Sequence, residues 1–476
     1  MPQADLVVVA NRLPVDRIEG PDGEPQWRRS PGGLVTALEQ VMQNIDGAWV
    51  GWGGKPDLDV EPFDLDGTLL VPVPLSRSDL RDYYEGFSNG TIWPLYHDVI
   101  ATPEFKRSWW DAYVRVNRRF AEAAAEHVAE GGFVWVQDYQ LQLVPQMLRE
   151  LRPDVIIGYF HHIPFPAYAL FQQLPWRRQV LEGLLGADVV GFQRVADAGN
   201  FQRSIRRLLS YPTKGDTIRV PTADDSHRLV VSKAYPISID AKQFIELAQD
   251  PQVLARAKEL REQVGSDKVL LGVDRLDYTK GIRHRLKAYG ELLHDGRIKG
   301  HDATLVNVAS PSRPGVEAYQ DLRDEIEMTV ARINGDYSTV ENTAIRYLHQ
   351  GFPREEMVAL YLAADVMLIT ALRDGMNLVA KEYVAVRGDN TGVLVLSEFA
   401  GAADELGSAL LINPHDIDGM KDAIMRALEM PPAEQARRMR TMRRKVLEND
   451  VEKWGALFLA DVERIRAFRA GEEQAS

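Results

Sequence analysis

The run ALRDGMNLVAKEY at 371–383 places an acid, a glycine turn, a polar cap and a second acid in one short stretch. Residues 366–370 before it form an apolar run of strand length, and Leu378, Val379 and Val384 after it supply the apolar side of a helix. This predicts a strand, a turn and a helix in succession. The turn holds Arg373, Asp374, Gly375, Met376 and Asn377, with Leu378 opening the helix, so backbone amides face whatever lies beyond the strand's carboxyl end. Amides at a helix N-terminus suit a phosphate. Asp374 and, one turn into the helix, Glu382 suit sugar hydroxyls, and the combination points to a sugar nucleotide. Asp and Asn are also ordinary helix caps, and Glu382 an ordinary acid near a helix start, so the run alone leaves both readings open.

Cations stand at a second strand end. In VDRLDYTKG, at 273–281, Arg275 and Lys280 flank a turn where both can reach one diphosphate, the arginine as a bidentate fork and the lysine as a point charge. The alternative is that they pair with Asp274 and Asp277. Near the N-terminus, Asn11 and Arg12 end the first strand, and Ser30, Pro31, Gly32 and Gly33 precede a helix from Leu34. The glycines let amides approach an anion and Arg12 can close on it. In YFHHIPFP, at 159–166, a strand runs into a proline-bounded loop, so one of His161 and His162 points to each face. Asp138 in WVQDYQ has the same placement at a strand end. Tyr84 and Trp93 lie in a less regular segment, where aromatic residues usually belong to the core.

Stepping outward, these residues need parallel sheets to hold them. Runs at 6–10, 133–137, 155–160 and 188–192 read as strands, with helices such as 105–128 and 141–151 between them. After an irregular polar stretch at 211–228 and a strand at 229–233, the pattern restarts at 269–274, 303–309, 345–348, 366–370 and 392–396. Strands separated by helices predict two doubly wound α/β domains with a hinge near 236–240 and ligands at the carboxyl ends of the strands. The expected division is 1–236, 237–454 and a C-terminal helix 455–476 that covers the first domain. That helix follows a break at Asn449 and Asp450 and carries Trp454, Phe458 and Leu459 on one side.

Composition narrows the classes. A chain of 476 residues with a net charge of −13 argues against nucleic acid or an anionic membrane as partner. It does not oppose small phosphorylated ligands, because salt screens distant charge while a cation in contact does not feel it. Zero cysteines exclude disulfides and thiolate chemistry, and with no signal peptide evident they fit a cytoplasmic protein. The glycines at 51, 53 and 54 miss a dinucleotide fingerprint because position 56 is proline, and neither a Walker motif nor a serine elbow occurs. The Asp57–Asp59 and Asp64–Asp66 pairs, with Glu61 between them, lack a nearby His and read as solvated loop in a polar, turn-rich stretch, so no metal or other cofactor is expected.

VVVANR, YYEGFSNGTIWP, WVQDYQ, HIPFP, VDRLDYTKG, SPSR, LRDGMNLVAKEY and VLVLSEFAGAADEL, in this order, closely resemble the trehalose-6-phosphate synthase family over nearly the whole chain. The resemblance implies the GT-B fold, two Rossmann-like domains facing a central cleft. It implies retaining, metal-independent transfer of glucose from a nucleoside diphosphate glucose (UDP-, ADP- or GDP-glucose) to glucose-6-phosphate. The acceptor belongs to the N-terminal domain and the nucleotide sugar to the C-terminal one. On matching positions, Arg275 and Lys280 look like diphosphate ligands, Glu382 the ribose ligand, Asp374 and His162 donor-glucose contacts, and Asp138 the acceptor-positioning residue. Residues 375–378 (Gly375, Met376, Asn377 and Leu378) join the donor side. Arg12, Gly33, Tyr84, Trp93 and Arg313 resemble the acceptor cradle, which requires Arg12 and Arg313 to converge. Gln137 and Gln140 depart from the histidines many members carry around this Asp. Retention by double displacement needs two carboxylates about 5 Å apart, and no such pair declares itself. The family is thought to react on one face, the leaving phosphate taking the acceptor's proton. A related transferase using glycerol phosphate or a cyclitol, and a silent sugar-phosphate sensor, are the alternatives. A homo-oligomer is compatible with the sequence, which does not set the assembly.

Overall fold

Val7, Val8 and Val9 have no exposed surface on either face of their strand, as parallel sheets require. In the computed structural model that strand, Ala4–Arg12, is central to a sheet ordered Thr213–Lys214, Thr217–Pro221, His227–Ala234, Val189–Phe192, Ile156–Phe160, Val128–Gln137, Ala4–Arg12, Gly47–Trp52, Thr68–Pro72, Phe63–Leu65. From His227–Ala234 across to Thr68–Pro72 every pairing is parallel. A second sheet is parallel throughout, ordered Ile345–Leu348, Ala303–Ser310, Lys268–Arg275, Val366–Ile369, Val393–Ser397, Leu410–Ile412. The structure describes all residues except 1–2, 20–24, 31–34, 36–37, 39–41, 43–46, 223–225, 300, 314 and 476. Gly33, with Pro31, Gly32 and Leu34, lies outside the described residues.

In each sheet the first strand sits in the middle and the chain winds outward to one side, then the other. The winding direction changes between Ala4–Arg12 and Val128–Gln137 in one sheet, and between Lys268–Arg275 and Val366–Ile369 in the other. Each change leaves a crevice at the carboxyl ends of the two strands. At the first crevice Arg12 ends one strand and Asp138 follows the other; at the second Arg275 ends its strand, and Lys280 and Asp374 follow theirs.

The chain divides into two units, 1–236 with 452–476, and 237–451. The C-terminal stretch that joins the first unit begins at Glu452. The helix Val451–Ala475 begins at Val451, and Trp454 already stacks on Trp135 at 5.1 Å, followed by Phe458 at 4.6 Å. Tyr235 donates to Asp461 Oδ2 at 2.7 Å, and Arg469 pairs with the buried Asp188, so this helix is part of the first unit's core.

Sequence periodicity passed over three kinds of element. Leu410–Ile412 has three residues, too few to show a period, and Gly47–Trp52 carries glycine at two of its six positions. The polar stretch at 211–228 contains the antiparallel strands Thr213–Lys214 and Thr217–Pro221, which extend the sheet edge. The segment that reads as irregular around Tyr84 is a π-helix, Leu80–Ile92, a rare form common at functional sites. Its Gly86 is required by packing, because an added Cβ would lie 2.7 Å from the Trp109 ring.

Candidate active site

At the crevice of the second sheet, Lys268–Arg275 and Val366–Ile369 pair only through Leu270 with Val366 and Leu271 with Met367. Beyond that point the fully buried Arg285 bridges them. Its Nη2 donates to Asp274 Oδ2 at 2.5 Å and its Nη1 to the Leu368 carbonyl at 2.8 Å. Gly272 makes room: a Cβ there would sit 2.5 Å from the Arg285 guanidinium carbon. Asp277 is also buried, accepting from Arg313 Nη1 at 3.0 Å, the Tyr319 hydroxyl at 3.1 Å and the Thr279 amide at 2.9 Å. Burial alone would raise its carboxyl; Arg313, with Arg275 and Lys280 nearby, overrides that and holds its pKa at about 2.

These partnerships decide a question the sequence left open. Asp274 is hydrogen-bonded to Arg285 and Asp277 to Arg313, so neither is the ion-pair partner of Lys280. Lys280 instead donates to Asp374 Oδ2 at 2.6 Å, with both side chains largely shielded. Arg275 is exposed at its strand's carboxyl end. Gly281, at φ 64°, closes the turn; a Cβ there would lie 2.0 Å from the Thr370 carbonyl oxygen, which glycine alone permits.

The cap of the helix Leu378–Val386 is Asn377, not Asp374. Asn377 accepts from the Ala380 amide at 3.0 Å through Oδ1 and donates to Asp374 Oδ2 at 3.1 Å through Nδ2. Freed from capping, the Asp374 carboxylate faces Lys280 and Asn377. A second turn, after Val393–Ser397, clips this one in place: Gly401 donates to the Asp374 carbonyl at 3.2 Å and Ala402 to the Met376 carbonyl at 2.8 Å. Here too a side chain is excluded, since a Cβ on Gly401 would meet the Gly375 oxygen at 1.9 Å. Glu382 accepts from the Tyr361 hydroxyl at 2.7 Å, and burial raises its carboxyl above the usual range.

At the crevice of the first sheet the groups are of another kind. Asp138 has φ 71° and ψ 172°, a backbone region otherwise left to glycine. Its amide donates to the Phe160 carbonyl at 2.8 Å, and its Oδ1 accepts from the His162 amide at 3.1 Å. The two histidines diverge as strand alternation predicts. His161 turns into the core against Tyr96, Phe165 and Phe192, with Nδ1 3.0 Å from the Tyr159 hydroxyl. His162 stays half-buried beside Asp138 and lies against the Phe160 ring. Burial keeps both imidazoles neutral, their pKa lowered to about 3.

Arg12 pairs with Asp16 at 2.8 Å and lies over the Trp52 ring, in the first unit. Tyr84 and Trp93 are steadied through their neighbours: Tyr83 donates to Asn11 Oδ1 at 2.8 Å, beside Arg12, and Tyr139 donates to Asn89 Oδ1 at 2.9 Å, beside Asp138. Trp93 itself is buried against His97 and Tyr139. Arg313 lies in the second unit on Asp277. Sequence reasoning missed the support under the helix Leu378–Val386. Lys381 is buried, donating to the Ile237 carbonyl at 2.8 Å and to Glu405 Oε2 at 2.5 Å. A lysine amid the apolar residues of LVAKEYVAV was the available signal.

Residues 4–464 match the model of Glycosyltransferase family 20. A trehalose-6-phosphate synthase of Mycolicibacterium gilvum (strain PYR-GCK) is 55% identical over 468 residues, 96% of this chain and 93% of that protein. The solved structure of an alpha,alpha-trehalose-phosphate synthase (UDP-forming) from Burkholderia xenovorans, in complex with glucose-6-phosphate, is 34% identical with a TM-score of 0.88, covering 96% of this chain and 99% of that one. An E. coli chain bound with UDP-2-fluoro glucose is also 34% identical, with a TM-score of 0.86 over 96% of this chain and 98% of its own. With two doubly wound units of the GT-B fold and a family match along nearly its full length, the chain belongs to glycosyltransferase family 20.

Proposed function

We infer that this chain transfers glucose, with retention, from a nucleoside diphosphate glucose to glucose-6-phosphate, giving trehalose-6-phosphate and the nucleoside diphosphate. The observation that carries the reading is the Lys280–Asp374 pair beside the Asn377-capped helix, at the carboxyl ends of the second sheet. That grouping offers a cation to a diphosphate and a carboxylate to a sugar hydroxyl 2.6 Å apart, from the turns after two adjacent strands. The names of the relatives, and the glucose-6-phosphate and UDP-2-fluoro glucose bound to the similar structures, support the two substrates.

In this reading Arg275 and Lys280 hold the diphosphate, amides of residues 375–378 add donors to it, Glu382 takes the ribose hydroxyls, and Asp374 and His162 take hydroxyls of the donor glucose. Asp138 positions the acceptor sugar, with Arg12, Gly33, Tyr84, Trp93 and Arg313 as its cradle. No protein nucleophile is needed. As the glycosidic bond loosens, negative charge grows on the leaving phosphate, which takes the acceptor hydroxyl's proton on the same face. Arg275 and Lys280 stabilise that charge, and the remaining residues hold two sugars in register. Lys280 has three donors and spends one on Asp374, so it can meet a phosphate while the carboxylate holds it in place. The reaction is assigned to the cytoplasm.

Incubating the protein with UDP-, ADP- and GDP-glucose, each with and without glucose-6-phosphate, tests this directly. A phosphorylated non-reducing disaccharide should form only when both substrates are present. Product from glucose as readily as from glucose-6-phosphate, or no product with any donor, would overturn the assignment.

A further inference from the structure

Gln137 ends the strand Val128–Gln137, immediately before the strained Asp138, and its side chain is 1% exposed. Its Oε1 lies 2.9 Å from His162 Nε2. A carbonyl oxygen only accepts, so the imidazole proton sits on Nε2 and Nδ1 carries the lone pair. On the other side of the ring, Gln193 Nε2 approaches Nδ1 at 3.4 Å, a long and weak contact from a residue that is itself buried just after Val189–Phe192. The Gln137 Nε2 group has no hydrogen-bond partner among the described residues. A buried amide left with unused donors beside a candidate sugar site calls for a ligand that accepts from it.

We propose that Gln137 is a positioning residue of the N-terminal site: it fixes His162 as the Nε2–H tautomer, so that Nδ1 accepts from a sugar hydroxyl, and it offers its own Nε2 hydrogens to a neighbouring sugar oxygen. This rests on the reading of His162 as a sugar contact. Two buried amides, Gln137 and Gln193, thus bracket a neutral ring where a carboxylate would have drawn a proton onto it. The charged or titratable groups at this ring are the Asp138 carboxylate, which holds the His162 backbone amide at 3.1 Å, and His161 next in sequence, itself neutral in the core. The ring packs on Phe160, and Trp454 from the C-terminal helix lies 6.5 Å away between centroids, neither bringing charge.

Nitrogen-15 NMR of the full chain labelled at histidine, with the His162 signal assigned by its loss in His162→Ala, reads the tautomer without reference to turnover. Wild type should show Nε2–H and a bare Nδ1 throughout pH 6 to 8. Gln137→Leu should mix the tautomers and lower kcat/KM by about 10- to 100-fold, the size of one or two lost hydrogen bonds, while free nucleoside diphosphate binds as before. Gln137→Asn, which keeps the amide but draws it back, should lose less. An Nδ1–H tautomer in wild type, or a Gln137→Leu protein with wild-type turnover, overturns the proposal; if Gln137→Leu does not fold, the wild-type tautomer and Gln137→Asn decide it. A fully active His162→Ala would instead sink the reading of His162, leaving the tautomer measurement to judge its link to Gln137.

Discussion

At the crevice of the C-terminal sheet charge answers charge: Lys280 faces Asp374, Arg313 faces Asp277, and Arg285 faces Asp274. At the crevice of the N-terminal sheet the groups around Asp138 are the neutral His162, two buried glutamines and the aspartate itself on a strained backbone, with one exposed pair, Arg12–Asp16, at the neighbouring strand end. Both crevices arise from the same winding, so topology does not account for the difference. On the proposed function, substrate chemistry accounts for it: cations with donors to spare suit a diphosphate, whereas donors and acceptors fixed in direction suit sugar hydroxyls, the acceptor's single phosphate being left to Arg12 and Arg313.

The largest effect on stability should come from breaking a buried pair. Arg313→Ala leaves the buried Asp277 carboxylate without its ion-pair partner, with hydrogen bonds from Tyr319 and Thr279 and the more distant charges of Arg275 and Lys280, and should cost about 3 kcal/mol of stability in urea denaturation. Arg12→Ala, which removes an exposed pair with Asp16, should cost no more than about 1 kcal/mol. Equal losses would show that Arg313 is not the structural charge described here. Provided Arg313→Ala folds, its preference for glucose-6-phosphate over glucose should also shrink, while donor affinity stays.

Next comes the Lys280–Asp374 pair, whose effect is on turnover. Lys280→Ala should lower kcat by about 100- to 1000-fold, or about 3 to 4 kcal/mol, because its contact strengthens as charge moves onto the leaving phosphate. Asp374→Ala should also be impaired, and the double variant should lose less than the two singles together, since each acts through a shared contact. Strict additivity in that cycle would mean that the pair seen at 2.6 Å has no bearing on turnover.

How much of this was readable before the fold depends on where a residue's partner lies in the chain. Asp374, Asn377 and Glu382 announce themselves because strand end, turn and helix are contiguous, and Arg275 with Lys280 likewise. The assignment of Asn377 rather than Asp374 as the cap was not readable, since both types cap well and only the geometry of Ala380 and Lys280 separates them. Lys381 with Glu405 and Arg285 with the Leu368 carbonyl were hidden, because the partners are brought together by the sheet and not by local sequence. The π-helix was hidden for another reason: its period matches neither helix nor strand templates.

The histidines test the contrast through pH. An unfolded histidine has a pKa near 6.5, while His161 and His162 are lowered to about 3 by burial, so between those values the unfolded state binds more protons. Their contribution is present above about pH 6.5 and is lost as pH falls toward 3. At pH 5 each should have given up about 2 kcal/mol relative to pH 8. His161→Phe, an aromatic for an aromatic in the core, should therefore be less sensitive to that change than wild type, as read by denaturant midpoints. A variant just as sensitive would show that acid acts elsewhere.

The smallest expected change in stability is the most pointed. Asp138 holds φ 71° and ψ 172° with a full side chain, a conformation that costs of order 1 to 3 kcal/mol and persists only where the surroundings enforce it. The enforcing contacts are the Asp138 amide on the Phe160 carbonyl and the His162 amide on the Asp138 carboxylate. Asp138→Gly removes the steric strain but also deletes the carboxylate contact and adds freedom to the unfolded chain, which glycine loses again on folding at about 0.5 to 1 kcal/mol. The terms nearly cancel, so stability should hold or rise by about 1 kcal/mol at most. Activity should collapse all the same, because the acceptor loses the group that positions it. Asp138→Ala keeps the strain and lacks the carboxylate, so it should be both inactive and less stable than Asp138→Gly. If Asp138→Gly proved markedly less stable than wild type, the backbone would not be strained in the sense argued, and the directional character of the N-terminal site would rest on His162 and Gln137 alone.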